Sequence, residues 1–317
     1  MKSSITDQLS NIIRCVESDL GTTSLSTMSF KVLIAAVEEF KIKDVDDFFD
    51  QFKQLLIHIK STKPRIGIII YYFCLIWDEL QKERDVLKTK EDLIRSLKNI
   101  TEHLTLEIEI DSAKIIQHGI SCIEENDSIL IHSHSQIVLK TLKKAVEEKK
   151  NFRVILAEQE EEKTHDMIIF LDTNNIPFSV VPEFMLSHIE NEVTKVFLGG
   201  ITFNKEHNFV SDAGTNSVIS EFHHANIPIY MFMTTKKFSL WDSINKHHTY
   251  KISQKKIEKR PKKFLTYNRI KFTHDRIPID LIDTIITEEG IFNPEQLKKA
   301  YDKSYSERQE WLETHFT

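Results

Sequence analysis

The chain has 317 residues, 40% of them hydrophobic and 28% charged, a balance that fits a folded globular protein and excludes a disordered one. That length predicts about two domains. Only 7 glycines and a net charge of −6 argue against glycine-rich phosphate loops and against wholesale nucleic-acid binding.

The N-terminus meets an acid at Asp7 and carries no signal-peptide apolar block. Helical spacing of apolar residues marks Phe30–Val37 and Phe48–Ile59. The longest apolar run, Ile66 to Trp77, spans about 18 Å as a helix against a hydrocarbon core of about 30 Å. It reads as a buried helix, with no membrane partner. Two further helices are expected, one opening at Glu91 and one over Asp111–Glu124. Cys15, Cys74 and Cys122 lie far apart with no CxxC pair, so reduced thiols and a cytoplasmic location are expected.

Beyond residue 125 the rhythm changes. Strand candidates at Ser128–His132, Phe152–Leu156, Phe178–Val181, Lys195–Leu198 and Ile229–Phe232 alternate with helical stretches over about 136–149, 163–174, 184–191 and 216–225. Such alternation predicts βαβ units. The expected fold is α/β: a helical N-terminal domain, residues 1–124, followed by a doubly wound, Rossmann-like parallel-sheet domain, residues 125–317. A basic insertion over about 246–263 breaks the pattern, with Glu258 its one acid. It reads either as an exposed loop with a solvated face or as a site for an anionic partner, protein or RNA. Few aromatics precede Phe264, which leaves single-stranded RNA stacking unsupported there.

No GxGxxG, GxxxxGK[ST], GxSxG or HExxH motif occurs, and no cofactor is expected. His132 and His134 lack the further ligands a zinc site needs, so no metal is expected either. Position singles out His132–Ser135, at the end of the first strand, where open parallel sheets bind ligands. Ser133 and Ser135 are equally natural helix N-caps. Gly199 and Gly200 end a later strand and permit close approach. Ala213-Gly214-Thr215-Asn216 precedes a helix and has backbone N–H groups to offer an anion.

In this order, Ile129–Ser135, Leu198-Gly199-Gly200, Gly214-Thr215 and Thr235-Lys236-Lys237-Phe238 resemble one known family. The closing segment Asp275–Asp283 with Ile285–Ile291 is its most specific part. The family holds the alpha, beta and delta subunits of eukaryotic translation initiation factor 2B, with ribose-1,5-bisphosphate isomerase and methylthioribose-1-phosphate isomerase. The likeness covers about residues 125–305 well and the helical domain loosely. Its isomerases move a proton with a cysteine and an aspartate. Those positions read here as Ser133 and Ile201, so no catalytic residue is expected. Where the family has an Asn-Lys pair and a phosphate-side arginine, this chain has Ser211-Asp212 and Glu160. At an effective dielectric of about 20, one like-charge pair at about 4 Å costs on the order of 4 kcal/mol, roughly a thousandfold in affinity.

The resemblance therefore implies a non-catalytic regulatory subunit nearest the alpha subunit, a branch favoured by Gln136–Lys140 and Lys149–Val154. It implies a homodimer, the other initiation factor 2B subunits as partners, regulation of nucleotide exchange on initiation factor 2, and recognition of that factor's phosphorylated alpha subunit. A sugar-phosphate or nucleotide sensor is the alternative, with an altered pocket of Lys63, Arg65, His132, Ser133, Ser135, Gly199, Gly200, Gly214, Thr215 and Lys237. Lys63-Pro64-Arg65 is similar to an Arg-Pro-Thr segment of archaeal members. Phe203, Phe209, Phe232 and Trp241 are the expected dimer-interface aromatics, too many for a modest sheet domain to hide alone.

Overall fold

The computed structural model describes residues 5–39, 44–61, 66–159, 161–240, 251–260 and 263–316. Four helices come first: α1 (Ile5–Glu39), α2 (Val45–Ser61), α3 (Gly67–Lys82) and α4 (Lys90–Ser121). Gly21, at φ 73° and ψ 162°, breaks α1 into two arms. α3 is buried on nearly every face because its apolar run has polar residues only at its C-terminal end. It packs against α1, α2, α4 and the turn after residue 234. That turn passes so close that a Cβ on Gly67 would lie 2.7 Å from the Lys237 carbonyl oxygen.

The two helices expected over 91–124 are one. Thr89 and Asp92 form a capping box at its start, and no proline interrupts the 32 residues of α4. The acids Glu107, Glu109 and Asp111 and the lysine Lys114, between Leu106 and Ile115, make that stretch look like a boundary in the sequence. In the structure Glu107, Glu109 and Lys114 lie on the solvated side of a continuous helix, while Asp111 turns inward to Lys236.

α4 ends at Ser121 and β1 (Asp127–Ile131) begins the sheet domain. There follow α5 (Gln136–Glu147), β2 (Phe152–Glu158), α6 (Glu161–Thr173), β3 (Phe178–Pro182), β4 (Lys195–Gly199), β5 (Thr202–Phe203), β6 (Asn208–Asp212), α7 (Thr215–His224) and β7 (Ile229–Phe232). The stretch read as a helix near 184–191 is two short 3-10 turns, Glu183–His188 and Glu190–Glu192. The chain closes with β8 (Lys251–Arg260), β9 (Lys263–Phe272), β10 (His274–Pro278), β11 (Thr284–Thr287), β12 (Gly290–Phe292) and α8 (Pro294–Phe316).

Seven strands form one sheet in the order β12-β11-β7-β4-β1-β2-β3, parallel except for β12. This is the doubly wound arrangement, with a helical N-terminal region in front of it. Central β1 is buried at all five positions, as a strand covered on both faces must be, whereas no residue of edge strand β3 is buried. β5, β6 and β10 form a separate three-stranded antiparallel sheet. Over its described residues the basic insertion is a strand and not a loop. Residues Lys251–Arg260 pair antiparallel with Lys263–Phe272 in a ladder of ten pairs, a ribbon continuing beyond the expected end of the insertion.

One hydrophobic cluster runs from Leu25 in α1 to Tyr301 in α8, so the helical region and the sheet share a core. This corrects the interface expectation. Phe203, Phe209 and Phe232 are wholly buried within the chain itself. Phe203 packs on Phe209, Phe238 and Tyr301, and Phe232 packs on Phe197 and beneath Gly119 of α4. Helices α3, α4 and α8 supply the cover that the sheet domain was expected to lack. Trp241 lies outside the described residues.

Candidate functional site

Strand order reverses between β1 and β4, since β2 and β3 lie to one side of β1 and β4 and β7 to the other. The carboxyl ends of these two strands therefore flank the crevice where open sheets hold ligands. Two expected segments meet there, His132–Ser135 after β1 and Gly199–Gly200 at the end of β4. The contact is tight: a Cβ on Gly199 would stand 2.2 Å from Ser135 Oγ.

His132 is buried, with Nδ1 at 3.1 Å from Thr215 Oγ1 and Nε2 at 3.5 Å from the Glu183 carboxylate. Ser211 donates to the Gly199 carbonyl at 3.0 Å. Lys237 is buried and donates to the Gly200 carbonyl at 2.7 Å. His132, Ser135, Gly199, Gly200, Gly214, Thr215 and Lys237 thus fall into one connected cluster. Ser135 occupies the N-cap position of α5 without a side-chain capping bond. Burial draws the neighbouring His134 imidazole below its ordinary pKa.

Ser133 is the exception within the cluster. Its backbone is left-handed at φ 72°, and its buried hydroxyl has no hydrogen-bond partner among the described residues. A serine so placed carries both a conformational cost and a desolvation cost. Ile201, at the aspartate position implied by the resemblance, is 7% exposed and offers no titratable group. Lys63, Arg65 and Glu160 lie outside the described residues.

Two expectations about charge change. The backbone N–H groups before α7 were expected to face an external anion. Instead Asp275 Oδ2 accepts from Gly214 N at 2.9 Å and Asn216 N at 3.0 Å, so the chain supplies its own carboxylate. Asp212 was expected to repel a phosphate, yet Lys163 Nζ pairs with it at 3.1 Å, both side chains about one-fifth exposed. The repulsion is largely offset by a residue from α6. Sequence reasoning missed Glu183, Ser211, Lys163 and Asp275 as neighbours. Of these Ser211 and Asp275 gave a signal, Ser211 in the pair that departs from the family's Asn-Lys and Asp275 as the first residue of the closing segment. Among the described residues no three His, Cys, Asp or Glu side chains are arranged to hold a metal ion, and no helix is long and apolar enough to cross a membrane.

The chain is similar to the translation initiation factor eIF2B subunit delta of Dictyostelium discoideum, 25% identical over 282 residues. That likeness covers 84% of this chain but 44% of the relative, so the chain spans less than half its length. Similarity also extends to the ribose 1,5-bisphosphate isomerase of Archaeoglobus fulgidus, 26% identical over 282 residues, covering 87% and 86% of the two chains. In fold, the chain resembles the Pyrococcus horikoshii translation initiation factor eIF-2B with a TM-score of 0.69 at 20% identity, covering 91% and 97%. It resembles a chain of the tetrameric eIF2B-beta2-delta2 complex of C. thermophilum with a TM-score of 0.68 at 18% identity, covering 95% of each. The Initiation factor 2 subunit family matches residues 20–294, from the kink in α1 to the first residue of α8. The chain belongs to that family.

Proposed function

We propose that this protein is a non-catalytic regulatory subunit of the initiation factor 2B type, acting in translation initiation by modulating guanine-nucleotide exchange on initiation factor 2. The observation that carries this reading is the pair Ser133 and Ile201. By the family resemblance, one hydroxyl and one alkyl side chain stand where proton transfer between sugar carbons needs two groups of tuned pKa. In this reading the chain works in the cytoplasm, assembles with itself and with other subunits, and recognises the phosphorylated alpha subunit of initiation factor 2. The alpha-like branch rests on the sequence resemblance alone, and the relative compared above bears the delta name. Incubating the chain with ribose 1,5-bisphosphate, or with methylthioribose 1-phosphate, and following the sugar carbons by NMR should show no conversion. Turnover of either compound would overturn the proposal.

A second reading is favoured by the unpartnered Ser133 hydroxyl and by the Lys163–Asp212 pair. The altered pocket then binds a small phosphorylated ligand without turnover, as a sensor. A ligand that binds the native state at a hundred times its Kd raises stability by about 2.7 kcal/mol. Melting temperatures measured with a panel of sugar phosphates and nucleotides therefore distinguish this reading, which requires a shift with at least one of them.

A further inference from the structure

β8 and β9 pack chiefly on one another, forming a two-stranded ribbon apart from both larger sheets. Their ten residue pairs hold eight lysines and arginines and a single acid, Glu258, in a chain whose net charge is −6. The second strand carries aromatic residues, and the register sets each opposite a lysine: Lys259 with Phe264, Lys256 with Tyr267, Lys251 with Phe272. Cross-strand partners share a face of a ribbon. Positions 264 and 272 with their lysine partners therefore fall on one face of the ribbon, and position 267 with its partner on the other.

Where side chains are described the ribbon is open. Tyr267 is 47%, Ile270 55% and Phe272 48% exposed. A lone hairpin is marginally stable in water, and one with exposed rings gains from any ligand that covers them.

We infer that the β8–β9 ribbon binds single-stranded RNA, its cations tracking phosphates and its rings stacking on bases. Positive charge alone would suit any polyanion, an acidic protein surface included. Rings set opposite lysines distinguish the two, because base stacking needs an exposed aromatic face and carboxylates do not. The inference does not depend on the reading of the sheet site, which lies on other elements.

The test is fluorescence anisotropy of the full chain with a labelled oligouridylate of about 20 nucleotides, over a salt series from about 50 to 200 mM. Four to five phosphate contacts predict a slope of log affinity against log salt near −3, at about −0.7 per contact. Lys256→Gln with Lys259→Gln should make that slope shallower by about 1.4. Tyr267→Ser should weaken binding by about tenfold at every salt with the slope unchanged, as loss of one stacked base predicts. Because Tyr267 is half exposed, its variant should melt as the parent does. The inference is overturned if the oligouridylate does not bind, or if Tyr267→Ser binds it as the parent does. Equal affinity for polyglutamate, or for duplex RNA of the same length, would overturn it as well.

Discussion

Ser135 and Gly199 touch across the point where strand order reverses, and no side chain fits between them. Gly199→Ala should destabilise the chain by about 1–3 kcal/mol, the range for overpacking a filled site. Ser135→Gly in the same chain should recover much of that loss in urea unfolding, since Ser135 makes no capping bond. Additive losses would mean that the contact is relieved in some other way. Asp275 closes the start of α7 through two backbone N–H groups. Asp275→Ala should cost about 1–2 kcal/mol, an N-cap loss, and should loosen amide protection at Gly214 and Asn216. Unchanged exchange at those amides would contradict the assignment. His132, Ser133 and the two strand-end glycines were legible in the sequence because their place follows from strand ends. Asp275 and Lys163 were not legible as partners, because they arrive from elements far along the chain.

At the scale of elements, the helical region is fastened to the sheet by charge as well as by apolar packing. Lys236, after β7, pairs with Asp111 of α4 and with Glu288, after β11, each at 2.9 Å. Glu288 also accepts from the backbone N–H of Thr235 at 3.1 Å and from its hydroxyl at 2.6 Å. Burial works against both charges, but the carboxylates raise the Lys236 pKa overall, and Lys236 with Thr235 holds Glu288 below its usual value. A depressed carboxylate stabilises above its unfolded value near 4.3 and loses that contribution as pH falls through the folded one. A raised lysine stabilises below about 10.4 and loses its contribution only on more alkaline titration. The bridge is thus intact between about pH 5 and pH 10. Glu288→Gln should lower stability at pH 7 by about 2 kcal/mol, less than for an isolated buried pair because Asp111 remains. That gap should narrow progressively as pH falls below about 4, and a gap independent of pH would show that the charge is not responsible. The ribbon shows why an element can be hidden in a sequence. Its first strand is masked by lysines of low β-propensity, and its meaning lies in a partner strand beyond the expected boundary.

At the scale of the molecule, the sheet domain and the helical region are one packed body through a shared core. The five main parallel strands were readable because strands between helices, four of them largely buried, leave short apolar runs. The seven-strand order, the small antiparallel sheet and the cover over Phe203 and Phe232 were not, since each depends on pairing between distant segments. Phe209→Ser should therefore unfold the chain, by about 3–5 kcal/mol, and not merely dissociate a dimer. A folded monomer of normal melting temperature would contradict this. Regulation of exchange is the larger claim, and it is tested most directly by release of labelled GDP from initiation factor 2. The assay combines the remaining subunits of initiation factor 2B with or without this chain, and the initiation factor 2 alpha subunit phosphorylated or not. The chain should make GDP release more sensitive to phosphorylation, without itself exchanging nucleotide. Release that is identical with and without the chain in both phosphorylation states would contradict the account.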